Sequence, residues 1–153
     1  ENNVPDEVSA GTHIWNSMVW FLLGVYLAVM FVTVFLSREP GSRQGIDMTL
    51  FGTWGETPQA HAFVIENILL FVPFGILYSL AVSATDRKPD LSKKIDWEKF
   101  TVLWGFLISV GIETVQLITE RGYCQLDDVV MNTLGALVWY VVFATLKFMI
   151  KKK

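Results

Sequence analysis

The chain has 153 residues, of which 52% are apolar and only 18% charged, with a formal net charge of −3 and a mean hydropathy of +0.43. These values exclude a disordered, collagen-like or disulfide-framework protein, and the lack of a basic stripe argues against a nucleic-acid partner. Apolar residues fall in long blocks, which excludes a large soluble catalytic domain.

A hydrocarbon core about 30 Å thick needs about 20 apolar residues of helix. Four blocks meet that length: 14–36, 63–84, 100–119 and 129–150. The first carries no charge, and the others carry one each, Glu66, Glu113 and Lys147. As buried helices of a soluble protein they would leave little polar sequence to cover them. The predicted fold is an all-α membrane protein with four transmembrane helices in an antiparallel bundle. The domain spans 14–150, between an N-terminal flank at 1–13, disordered or appended, and a basic tail at 151–153. The first block is too long, and its flank too poor in Lys and Arg, for a cleaved signal peptide.

The connection 37–62 contains Pro40-Gly41, Gly45, Gly52, Gly55 and Pro58, which break regular structure. It also carries Ile46, Met48, Leu50, Phe51 and Trp54, so it is expected to fold back and partly cover the polar end of the bundle. The second block opens with Glu66 and Asn67. Pro73 removes a backbone donor and leaves the carbonyl of Leu69 in need of another partner. In the third block Glu113 and Gln116 lie three apart on one helix face. Gly105, Ser109 and Glu113 form a small-residue stripe that lets a neighbouring helix approach.

The short connection 120–128 holds Arg121, able to pair with Asp127 or Asp128 or to clamp a phosphate or carboxylate in bidentate fashion. Cys124 is the single cysteine, so no internal disulfide forms. Around the start of the fourth block come Asp127, Asp128 and Asn132, with Asp128, Asn132 and Gly135 on one stripe. Nine of the 12 Lys and Arg lie in the N-terminal flank, the middle connection and the C-terminus taken together. Both termini are therefore expected in the cytoplasm, with 37–62 and 120–128 outside.

A carboxylate in hydrocarbon is costly, so it faces the bundle interior and has a partner. The polar residues of three spans all gather at the outer end. Glu113 and Asp128 are the candidate catalytic pair, as unequally buried carboxylates suited to opposite acid and base roles. Asn67, Gln116, Arg121, Asp127 and Asn132 are the candidate substrate-binding residues. No metal or other cofactor is expected.

Three runs resemble the VanZ-like proteins. Glu66-Asn67 through Pro73-Phe-Gly75 is similar to their second-span motif, and Glu113-Thr-Val-Gln116 to their third-span Glu-x-x-Gln. Arg121 followed by Asp127-Asp128-x-x-x-Asn132-Thr-x-Gly135 is similar to their Arg and Asp-Asp-x-x-x-Asn-Thr-x-Gly run. The chain departs from the family in the first connection, which has Ile46-Asp47-Met-Thr-Leu50-Phe51 where many members have Asn-Leu-x-Pro-Phe. Trp139-Tyr140 also stands where Gly-Tyr is common. The resemblance implies a bacterial cell-envelope setting and an association with resistance to the lipoglycopeptide teicoplanin, but no particular reaction.

Two functions compete on these grounds. One is a site at the outer leaflet that binds or modifies an envelope lipid head group or a lipidated glycopeptide, acting as a hydrolase or transferase if it is an enzyme. The other is a non-catalytic partner subunit of an envelope-synthesis complex, in which the polar cluster is structural. An ion or proton carrier is disfavoured, because the inner half of the bundle holds no intramembrane acid.

Overall fold

Thr57 opens the second helix. Its hydroxyl accepts the Ala60 N–H at 3.2 Å, and Pro58 takes the first helical position, where its missing N–H is not needed. In the computed structural model, which describes residues 6–36, 38–41, 45–52, 54–55, 57–85 and 100–152, α1 runs Asp6–Phe31 and continues as a π-helical turn, Val32–Leu36. Then come β1 (Ile46–Asp47), α2 (Pro58–Thr85), α3 (Phe100–Thr119), β2 (Cys124–Gln125) and α4 (Leu126–Lys151).

Among the described residues four segments are long and apolar enough to cross a membrane: Ala10–Leu36, Pro58–Thr85, Thr101–Thr119 and Leu126–Ile150. The protein is thus an all-α, multi-pass membrane protein. α1 reaches back to Asp6, inside the segment set apart as a flank. α4 begins at Leu126, which puts Asp127 and Asp128 in its first turn, where the helix dipole favours negative charge.

Residues face the inverse way from a water-soluble bundle. Ile14, Phe21, Leu103, Val141 and Ile150 are exposed on the outside, while Ser79, Thr101, Ser109, Glu113, Gln116, Asp127 and Asn132 are buried within. Hydrocarbon solvates the former, and the latter depend on partners within the protein, on other helices and on the connections. α2 and α4 form the central pair, with α1 against α2 and α3 against α4. Small residues make this possible. A Cβ on Gly135 would lie 2.2 Å from the carbonyl oxygen of Ile68, and one on Gly105 would lie 2.7 Å from the Cβ of Ala136.

Pro73 sits inside α2. The Tyr26 hydroxyl of α1 donates to the carbonyl of Leu70, one residue beyond the carbonyl expected to need a partner. That bond ties α1 to α2 beside the proline.

At one end of the bundle the connections interlock. β1 pairs in parallel with β2, Ile46 with Cys124 and Asp47 with Gln125. Cys124 N–H donates to Gly45 at 3.0 Å, and Gly41 N–H donates to Glu120 at 2.9 Å. Phe51, in the left-handed region at φ 59°, donates its N–H to Asp127 Oδ1 at 2.5 Å. The first connection is therefore tied to the α3–α4 turn by backbone hydrogen bonds, while its apolar side chains Ile46, Met48, Leu50, Phe51 and Trp54 stay exposed. α3 itself ends in a Schellman motif, with Glu120 at φ 55°, its N–H on Leu117 and the Arg121 N–H on Gln116. At the opposite end the Trp20 indole donates to Thr85 at 3.0 Å. The basic connection 86–99, with Trp97, lies outside the described residues, as does much of the charge bias used for orientation.

Candidate functional site

Each polar side chain is held by the helix that carries it. Asn67, in the third turn of α2, donates Nδ2–H to Asp128 Oδ1 of α4 at 2.6 Å. Asn132 lies one turn further along α4 and donates to Ser109 Oγ of α3 at 2.8 Å. Glu113, one turn beyond Ser109, accepts the Gln125 N–H at 2.8 Å. Side chains of α2, α3 and α4 thus meet through the i, i+4 stripes that the sequence displays.

Asn67, Glu113, Gln116, Asp128 and Asn132 all line one cavity of about 490 Å³, to which Tyr26, Thr33 and Val34 also contribute. A second cavity of about 380 Å³ lies under the connections, against Gln59, Tyr123 and Gln125. The two share Arg38, Glu66, Asn67 and Asp128 as walls. Both volumes fall within the range of small-ligand sites. Gln116 Oε1 and Asn132 Oδ1 are buried without a hydrogen-bond partner, and each residue is only 2% exposed. Buried polar atoms are almost always paired, so two such oxygens on one cavity wall are notable chemistry.

Two predicted binding residues stand apart from this cavity. Arg121 donates through one guanidinium nitrogen to the carbonyls of Phe35 and Arg38, at 2.9 and 2.7 Å. It closes off the C-terminal end of the first span. Asp127 is 1% exposed and holds the Phe51 N–H, so it anchors the first connection. The cation that reaches the site is Arg38, whose charge bears on both Glu113 and Asp128. In the sequence Arg38 is only a loop charge. The π-helical turn that delivers it, and that puts Thr33 and Val34 on the cavity wall, has no signature in the hydropathy pattern.

Beside the polar cavity runs an apolar groove of about 280 Å³ between α1 and α3, lined by Leu27, Met30, Phe35, Ile108, Gly111 and Ile112. Ile112 borders both spaces. Outside the spans, Asp47 is held below the usual carboxylate range by hydrogen bonds from Thr49, its N–H at 2.9 Å. Burial, and secondarily the Glu113 charge, pushes the Cys124 thiol up. Among the described residues no group of three or more His, Cys, Asp or Glu converges as a metal-ligand set.

A family model described as VanZ/LLP1 matches residues 19–147. The chain belongs to the VanZ/LLP1 family. No curated protein and no solved structure matches it. In this VanZ/LLP1 protein the three motif runs of the sequence supply Asn67, Glu113, Gln116, Asp128 and Asn132 to a single cavity wall. The matched region also takes in Arg38 and the π-helical turn.

Proposed function

We propose that this VanZ/LLP1 protein binds the head group of an envelope lipid, or of a lipidated glycopeptide of the teicoplanin type, in the polar cavity at its looped end. The observation that carries this reading is the convergence of five polar side chains from three helices on one cavity beside a cation, Arg38. Two carboxylates, three amide side chains and a guanidinium are groups that hold sugar hydroxyls, amides and phosphate. The apolar α1–α3 groove, sharing Ile112 with that cavity, suits one hydrocarbon chain of the same molecule. The distribution of Lys and Arg supports an extracytoplasmic position for this end, with both termini in the cytoplasm. If the bound head group is also transformed, Glu113 and Asp128 are the acid–base pair, with hydrolysis or transfer as the reaction class.

The deciding experiment pairs Glu113→Gln and Asp128→Asn with mass spectrometry of lipids that co-purify with the protein. Loss of a retained lipid and of glycopeptide resistance, at an unchanged membrane level of protein, is the expected result. Normal resistance and lipid content in both variants would falsify the reading.

A second reading is a non-catalytic partner subunit. It is favoured by the fact that Glu113 and Asp127 each bind a backbone N–H of another segment, as structural glue would. On that reading the same variants lose protein from the membrane.

A further inference from the structure

The deep wall of the cavity is rich in hydrogen-bond acceptors. Gln116 Oε1 and Asn132 Oδ1 are buried and unpartnered, and the carboxylates of Glu113 and Asp128 stand on the same wall. The donor that each amide can offer elsewhere is already directed, in Asn132, to Ser109. Arg38 is the cation of the wall and lies at the boundary shared by the two cavities, nearer the connections. A bare phosphate would meet Arg38 there, with Glu66 and Asp128 on the same boundary, and placed deeper it would oppose Glu113 as well. A trimethylated ammonium brings charge but no N–H or O–H, and so would leave both oxygens unsatisfied. Satisfying them takes a group that donates.

We propose that the cavity selects phospholipid head groups that carry hydrogen-bond donors, hydroxyls or a primary ammonium, beyond the phosphate. The phosphate sits against Arg38. The donors reach Gln116 Oε1 and Asn132 Oδ1, and the neighbouring carboxylates accept the remainder. This rests on the head-group reading above and narrows it to a class. Selectivity arises because a site built to be hydrogen-bonded rejects the analogue that lacks the donor, whose binding leaves buried acceptors unpaired.

The test is native mass spectrometry of the full chain in detergent with four dioleoyl lipids: phosphatidylglycerol, phosphatidylethanolamine, phosphatidylcholine and phosphatidic acid. Phosphatidylglycerol or phosphatidylethanolamine is expected to bind about tenfold or more tightly than phosphatidylcholine and phosphatidic acid, as two hydrogen bonds made rather than forfeited imply. Preference for the glycerol lipid identifies hydroxyl donors, and preference for the ethanolamine lipid identifies the ammonium. The near-isosteric Gln116→Met and Asn132→Leu variants should shrink that preference to under about threefold, with phosphatidic acid binding unchanged. Arg38→Gln should weaken all four lipids alike.

Equal binding of phosphatidylcholine overturns the proposal, as does full preference retained in both amide variants. In either case binding itself persists and the head-group reading stands. Failure of all four lipids to bind overturns the proposal and the phospholipid form of the head-group reading, whose glycopeptide form is decided by the resistance assay. The wild-type comparison decides the matter even if a variant does not fold.

Discussion

Asn67 and Asp128 join the two central helices through one 2.6 Å hydrogen bond at the mouth of the polar cavity. Interhelical bonds of this kind contribute about 0.6–1.7 kcal/mol in membrane proteins. Asn67→Leu and Asp128→Leu should each lower thermal stability in detergent. The double variant should fall short of the sum of the two by about that coupling. Full additivity would show that the pair does not interact.

Gly135 should be intolerant of any side chain. Its α-carbon faces the Ile68 carbonyl so closely that a methyl group would lie 2.2 Å from the oxygen. Gly135→Ala must push α2 from α4, at a cost of about 1–3 kcal/mol or more. The expected outcome is a clear fall in folded protein by size-exclusion chromatography. Gly24→Ala, where nothing lies within 4 Å, is the matched control and should be silent or mildly stabilising.

Gly111 offers a way to fill the α1–α3 groove without touching the polar cavity. Nothing lies within 4 Å of the position its Cβ would take. Gly111→Leu should therefore leave folding intact and reduce retention of co-purified lipid severalfold. Unchanged lipid content would remove the groove from the binding site while leaving the head-group cavity untouched.

The two arginines of the looped end should separate cleanly. Arg121 satisfies two backbone carbonyls, so Arg121→Ala leaves acceptors exposed and should cost about 1–3 kcal/mol of stability. Arg38 serves the cavity, so Arg38→Gln should spare the melting temperature and weaken phosphate-bearing ligands. The reverse pattern would exchange their roles.

Cys124 provides a pH-dependent readout. The thiolate is the reactive form, and burial raises the thiol above its ordinary range. Maleimide labelling at about pH 7 should run slower than for a free thiol, and its rate should still be rising beyond about pH 9. A plateau below about pH 8 would contradict the burial. The same label, applied with an impermeant reagent to intact cells, tests the orientation of the bundle.

The spans were legible because hydrocarbon allows so few solutions: a long apolar run must be a helix, and a carboxylate within it must face other helices. Glu113 and Gln116 of α3, Asp128 and Asn132 of α4, and Asn67 of α2 follow that constraint, and all five line one cavity. Arg38 escaped it because its place depends on a single π-helical turn, a local rewinding with no periodic trace. Arg121 has side chains and carbonyls equally within reach of a long, flexible cation, and sequence cannot choose between them. The pairing of Ile46–Asp47 with Cys124–Gln125 is two residues long and distant along the chain, too short for any alternation of apolar residues to announce it.

The contact of Gly135 with Ile68 has a consequence for how this protein can move. With Gly135 seated against the Ile68 carbonyl, α2 and α4 have no room to close further, and moving them apart would give up that packing. Displacement of an outer helix, α1 or α3, would widen the cavity along one flank without breaking that contact. A ligand would then exchange sideways with the surrounding leaflet, and its supply would be set by its surface density there, not by its concentration in water.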